Sequence, residues 1–353
     1  MSFEIGVMTF GEVTADPGTG TMPSPGQRAR EVIELAEVAD QAGLDVFGAG
    51  EHHRSDFIGS APSILLAAAA ERTERIALTS SVTVLSSEDP VRVWEQYATL
   101  DLLSRGRAEI IAGRGSYTES FPLFGYDLND YSGLFREKLD LLLQIRDHNP
   151  LSWRGRFRPE LVDADIAPRP EGGTIPIWVA VGGSPASAVS TGRLGLPLAL
   201  AFLLGPISSQ VQNAAFYRQA AQQAGHDAAA LPVSINTHGY VGRTSQGARD
   251  TMYPYFAEGM RENNHQRGQG LRLPRTAFDA QATRAGSLLV GSVQEIIDKL
   301  MTYHQLYGAT RVLLQMGFGG MPQKQHLQAV ELLGTEVAPV MRREIGSRAA
   351  SAA

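Results

Sequence analysis

Pro176-Ile177-Trp178-Val179-Ala180, followed by Val181-Gly182-Gly183-Ser184-Pro185-Ala186-Ser187, is the stretch of this 353-residue chain that decides its fold. The first five residues carry no charge and read as a strand buried on both faces. A glycine turn follows, and Pro185 opens a helix that runs to about Leu194, proline being well tolerated in a first helical turn. Residues 197–202 then return as a second strand. Strand, turn, helix and strand make up the unit of a parallel sheet, because parallel neighbours need a crossover connection.

The same unit recurs on both sides. Upstream, strands are expected over 4–9, 44–47, 76–85 and 107–112, with helices over 27–42, 60–72, 90–103 and 131–146. In the first helix Val32, Leu35, Ala36 and Ala39 fall at helical spacing, and Gly43 closes it. Downstream come helix 207–224, strand 232–237, helix 293–307, strand 310–315 and helix 323–343. Eight strands alternating with helices over this length predict a closed (β/α)8 barrel, the TIM barrel of the α/β class. We expect a single barrel domain over 1–345, an insertion at about 243–285 before the last unit, and a flexible tail over 346–353. The Trp/Arg/Pro-rich segment from His148 to Thr174 reads as a surface excursion.

Composition narrows the class. Lys plus Arg is 31 against 37 Asp plus Glu, a formal charge of −6, with no long basic run. That balance argues against nucleic acid or an anionic membrane as partner. The absence of cysteine removes thiol nucleophiles, thiolate metal sites and disulfides. The start, Met1-Ser2-Phe3-Glu4-Ile5, has no signal-peptide pattern, and no apolar run approaches the roughly 20 residues a membrane span needs. A cytoplasmic enzyme is expected.

Several common routes to chemistry are missing. The chain has no G-x-x-x-x-G-K-[ST], no G-x-G-x-x-G after its first strand, no G-x-S-x-G and no H-E-x-x-H. What it has is three loops at the C-terminal ends of strands, where barrel enzymes carry their active sites. Gly50-Glu51-His52-His53 follows the second strand. It offers acid/base groups, metal ligands or a structural hydrogen-bonded cluster. Adjacent side chains on extended backbone diverge, and no second Asp/His cluster is evident to complete a metal site. Ala112-Gly113-Arg114-Gly115-Ser116-Tyr117 follows the fourth strand and sets a cationic fork between glycines. Gly182, Gly183, Ser184 and Ser187 follow the fifth, where a helix N-terminus presents free N–H groups and hydroxyls to an anion. Read alone, each of the last two is equally an ordinary turn; side by side they suggest a phosphate-bearing cofactor.

In this order the motifs resemble the bacterial luciferase-like flavin-dependent monooxygenases. The likeness runs over nearly the whole chain. Its most specific part is Thr79 to Glu95, with Ser80-Ser81 and Pro90-Val91-Arg92, and then Leu100-Asp101-Leu102-Leu103-Ser104-Arg105-Gly106-Arg107. The resemblance implies reduced FMN as co-substrate, O2 and a small organic molecule as the other substrates, a separate flavin reductase, and a homodimer. It places Ser80-Ser81 at a non-proline cis peptide under the flavin ring, and Arg114, Ser116, Ser184 and Ser187 at the flavin phosphate, beside the Gly182-Gly183 turn. It makes His52 the catalytic histidine. A reactive cysteine of some relatives is replaced by Gly113. Three other functions fit the same sequence: deazaflavin-dependent hydride transfer, flavin binding without turnover, and metal-dependent hydrolysis. Deazaflavin enzymes of this fold tend to carry Ser-Asp-His where this chain has Glu51-His52-His53.

Overall fold

Helix starts are written into the chain as a polar cap followed by proline. Ser24 accepts from Gln27 N–H before Pro25, Asp89 accepts from Val91 and Arg92 N–H before Pro90, and Ser184 accepts from Ser187 N–H before Pro185. Each cap satisfies main-chain donors that a helix leaves orphaned. The computed structural model describes residues 3–115, 117–266 and 273–352. In chain order its elements are β1 (Glu4–Thr9), α1 (Pro25–Gln41), β2 (Val46–Ala49), α2 (Pro62–Ala70), β3 (Ala77–Ser80), β4 (Thr83–Val84), α3 (Pro90–Ser104) and β5 (Ala108–Gly113). Next come α4 (Ser120–Phe124), α5 (Tyr131–Asp147), β6 (Leu151–Trp153), β7 (Leu161–Ala164), β8 (Ile177–Val181), α6 (Pro185–Arg193), β9 (Leu198–Ala201) and α7 (Val211–Gln223). The chain finishes with β10 (Val233–Gly242), α8 (Ser245–Gln266), α9 (Arg275–Ala282), β11 (Leu289–Ser292), α10 (Val293–Tyr307), β12 (Arg311–Gln315), α11 (Gln323–Leu332) and α12 (Ala338–Ala352).

Eight of these strands close a parallel barrel in the order β1-β2-β3-β5-β8-β9-β10-β12, with β12 returning to β1. All eight strands expected from sequence are barrel staves. Side chains alternate between the barrel interior and the helix layer. Val46, Ile111, Trp178, Ala199 and Leu313 fill the interior with Met8, while Phe47, Leu78, Ile110 and Val179 pack outward under the helices. At the N-terminal end of the barrel Arg311 is buried between Glu109 (2.9 Å) and Glu4 (2.7 Å) and lies 4.3 Å over the Trp178 ring.

Some features depart from the sequence expectation. The segment 148–174 contains an antiparallel pair, β6 with β7, whose Val162 is 73% exposed. Strand 76–85 is two pieces, β3 and β4, on either side of a cis Ser81–Val82 bond. The cis bond thus falls one residue beyond Ser80-Ser81. Within 243–285 lie the 22-residue α8 and the shorter α9, and β11 pairs with the outer end of β10. Past Gly346 the chain remains helical, since α12 runs through Ala352 from an anchor of buried Met341 and Ile345. Among the described residues no helix is long and apolar enough to cross a membrane.

Candidate active site

A cavity of about 380 Å³ opens at the C-terminal ends of the barrel strands. Of the residues singled out in the sequence, His52, Ser81, Arg114, Gly182 and Ser184 line it. Ser187 touches the site through Arg114, whose Nη2 donates to the Ser187 hydroxyl at 3.0 Å. Gly183 shapes the turn with a φ of +114°, a conformation that side chains resist. Ser116 lies outside the described residues.

Ser80, expected at the flavin, is not among the cavity-lining residues. Alternation decides this: Thr79 and Ser81 face inward, so Ser80 faces the other way. Its hydroxyl is taken up by β5, donating to Ile111 O at 3.2 Å and accepting from Ile111 N–H at 3.0 Å. Ser81 does point in and donates to Met8 Sδ at 2.7 Å. Next to it, Val82 closes over Gly113. A Cβ built on Gly113 would stand 2.5 Å from Val82 Cγ2, so any side chain there would displace Val82.

Arg114 stands at one end of the cavity as a cation among neutral groups. Besides Ser187 it has the Tyr131 ring, 5.4 Å from its guanidinium carbon, and Tyr131 itself donates to Gly115 O at 2.7 Å. Among the described residues no carboxylate pairs with Arg114. A guanidinium fork with no carboxylate partner, beside the N-terminus of α6, has the donors that an anionic group such as phosphate needs. Arg114, Ser184 and Ser187 together are a donor set that fits a phosphate-bearing cofactor.

His52 sits at the second strand end, 7% exposed, between the rings of Phe10, Phe57 and Tyr117, each centred 4.6 Å away. Its Nδ1 lies 3.2 Å from Glu119 Oε1. Burial alone would raise the Glu119 carboxyl, but hydrogen bonds from His52 and from main-chain N–H groups hold it below the usual carboxylate range. Ionised Glu119 can only accept, so Nδ1 carries a proton and Nε2 is the nitrogen left for proton exchange.

His53 belongs to a different cluster. Its Nε2 is 2.9 Å from Glu51 Oε1, and the other Glu51 oxygen accepts from Val84 N–H at 2.8 Å. The hydrogen bond with Glu51 raises the His53 pKa despite burial. Glu88 completes a group of three ligand-type side chains within 4.8 Å, the third member that the sequence did not reveal. Lys138 lies beneath, donating to Ser86 O at 2.8 Å, and burial lowers its pKa to about 8.

Among the polar residues of the site that escaped the sequence reading are Glu119, Tyr131, Asn236, His238 and Gln315. Glu119 is 67 positions from the histidine it orients. Asn236 and His238 had a usable signal, polar residues two apart at the C-terminal end of a strand. The strand was ended at 237, one residue short of His238.

The model of the luciferase-like monooxygenase family matches residues 3–310. The oxygenase component of the flavin-dependent trigonelline monooxygenase of Acinetobacter baylyi is 25% identical over 78% of this chain and 80% of its own length. An F420-dependent glucose-6-phosphate dehydrogenase from Amycolatopsis mediterranei is 32% identical over 47% of this chain and 51% of its own. Among solved structures, the monooxygenase RslO1 of Streptomyces bottropensis superposes with a TM-score of 0.80 at 24% identity, covering 96% of this chain and 99% of that one.

Proposed function

The chain belongs to the luciferase-like monooxygenase family, and from that premise we propose that it is a reduced-FMN-dependent monooxygenase acting on a small organic substrate. The observation that carries this reading is Arg114: a cation at one end of the cavity whose polar partner is a serine hydroxyl and whose nearest ring is Tyr131. The chemistry a bound reduced flavin supplies is two electrons for O2, so that one oxygen atom enters the substrate and the other leaves as water. This chain's own residues do the rest. Arg114, Ser184 and Ser187 would hold the phosphate, and Val82 and Gly113 are part of the cavity wall that a bound flavin would meet. The aromatic cage of Phe10, Phe57 and Tyr117 excludes water around His52, and His52 Nε2 holds or moves the proton that oxygen transfer requires. The chain has no dinucleotide fingerprint, so its reducing equivalents come from a separate flavin reductase, as the word component in the name of the trigonelline enzyme suggests for that relative. A homodimer is part of the same reading. Ile64, 70% exposed on the Ala-rich α2, is the apolar residue it would cover.

A second reading, deazaflavin-dependent hydride transfer, is favoured by the F420-dependent relative. Anaerobic fluorescence titration with oxidised FMN, photoreduced FMN and the deazaflavin separates the two. Preferential binding of reduced FMN supports the monooxygenase. Binding of the deazaflavin alone overturns it and makes His52 the base for an alcohol or amine substrate.

A further inference from the structure

His52 and His53 leave the second strand end in different directions, and the flavin reading uses only the first. His53 turns toward two carboxylates. Its Nε2 stands 2.9 Å from Glu51 Oε1, and Glu88 brings a further oxygen, so that three ligand-type atoms lie within 4.8 Å of one another. They come from separate parts of the chain: Glu51 and His53 from the loop after β2, Glu88 from the turn between β4 and α3. The side chains of Glu51 and His53 are only 2% and 7% exposed.

Charge is unbalanced here. Among the described residues no arginine or lysine is hydrogen-bonded to either carboxylate. Lys138, the cation whose field reaches Glu88, is engaged elsewhere: its Nζ donates to Ser86 O at 2.8 Å and stands 3.9 Å from the centre of the Tyr126 ring. Two like charges are therefore held together away from water. Burial, and next the charge of Glu51, raise the Glu88 carboxyl above its usual range. A pair in that position gains from a cation placed between its members.

The geometry suits a small divalent ion. Glu51 Oε2 accepts from Val84 N–H at 2.8 Å, which aims Oε1 at His53. Hydrogen bonds of this kind orient ligating carboxylates in metal sites. Glu88 is the adjustable member, because no hydrogen bond or ion pair among the described residues holds its carboxyl. Metal–ligand lengths of about 2.0 to 2.2 Å put two ligands of a tetrahedral zinc about 3.3 Å apart. Glu51 and His53 are already close to that separation, and Glu88 has only to swing inward. One imidazole nitrogen with two carboxylate oxygens leaves a fourth position for water. Magnesium, which asks for octahedral oxygen ligands, fits less well.

We propose that Glu51, His53 and Glu88 form a divalent metal site of the zinc class, clamping the loop after β2 to the turn before α3. The ion also acts on the cavity, since Glu51 is the one Asp or Glu among the lining residues and sits next to His52. Metal binding neutralises that charge. The site does not depend on the flavin reading, because neither His53 nor Glu88 lines the cavity.

Cobalt(II) and zinc titrations of tag-free, EDTA-treated, flavin-free protein test the site. Cobalt held by few ligands absorbs in the visible. The expected result is a d–d band that saturates at one equivalent of cobalt, is bleached by one equivalent of zinc and survives excess magnesium. E88Q keeps the shape of the side chain and removes one of the two like charges. It should leave the metal-free fold intact by circular dichroism and weaken cobalt binding at least about tenfold. H53Q should lose the band, while H148Q, which changes an exposed histidine outside the cluster, should behave as wild type. No band at one equivalent, a band unchanged in E88Q and H53Q, or displacement by magnesium overturns the site. Reduced-FMN affinity of the same metal-free protein reports on the flavin reading separately, and its loss leaves the cobalt result standing.

Discussion

Glu119 decides which nitrogen of His52 carries a proton, and its effect is measurable in two ways. E119Q keeps the shape but removes the charge that fixes the ring, at a stability cost of about 1 kcal/mol. The sign with pH follows from the lowered carboxyl pKa. That stability is fully present above the ordinary value of 4.5 and is lost as the pH falls from there through the lower folded value. Acid unfolding curves of wild type and E119Q should therefore converge on acidification; parallel curves would contradict the pairing. Gly113 gives a second test at this scale. G113A drives a Cβ to 2.5 Å from Val82 and should lower Tm and flavin affinity together, with V82A restoring both; no rescue would show that the contact is not the cause. Single residues were legible in the sequence where their type is rare and their loop is short, as with Arg114 and His52. Ser80 was singled out by its type, but its place in the strand alternation turns its hydroxyl to Ile111 and away from the cavity lining.

At the scale of the element, strand interiors were easy to read and strand ends were not. Most staves are short aliphatic runs, as in Ile177–Val181 and Leu198–Ala201, and together with the helices between them they made all eight recognisable. β6 and β7 were missed because their outward side chains leave little alternation above the noise of a Trp/Arg/Pro-rich segment. β11 was missed because its four residues end on Ser292, which also accepts from Glu295 N–H as the cap of α10. β12 carries the other testable feature. Arg311, buried between Glu4 and Glu109, ties β12, β1 and β5 together at the end of the barrel away from the cavity. R311M leaves two carboxylates facing each other and should cost on the order of 3 kcal/mol in denaturant unfolding. Flavin affinity of the folded protein should stay at the wild-type value, and a loss of affinity would show that this ring reaches the site.

For the whole molecule, the barrel brings together groups that the sequence keeps far apart: a histidine after the second strand, an arginine after the fourth, a capped helix after the fifth, and two polar residues on the seventh. The turns after strands four and five were legible as cavity-lining loops because glycine, hydroxyl and arginine stand side by side in them. The opposite wall was not, because Asn236 and His238 join the cavity only once closure sets them facing β3. Arg114 stands at one end of the cavity, with Asn236 and His238 on the opposite wall. Whether the Arg114 end receives a phosphate is measured directly by the affinity of photoreduced FMN against photoreduced riboflavin, in wild type and in R114A. The two ligands differ by the phosphate alone. Wild type should prefer FMN by about 10- to 100-fold, as expected for losing a charge-assisted hydrogen-bond pair, and R114A should bring the two affinities together. Equal affinities in wild type, or a preference that R114A leaves intact, would contradict a phosphate at Arg114.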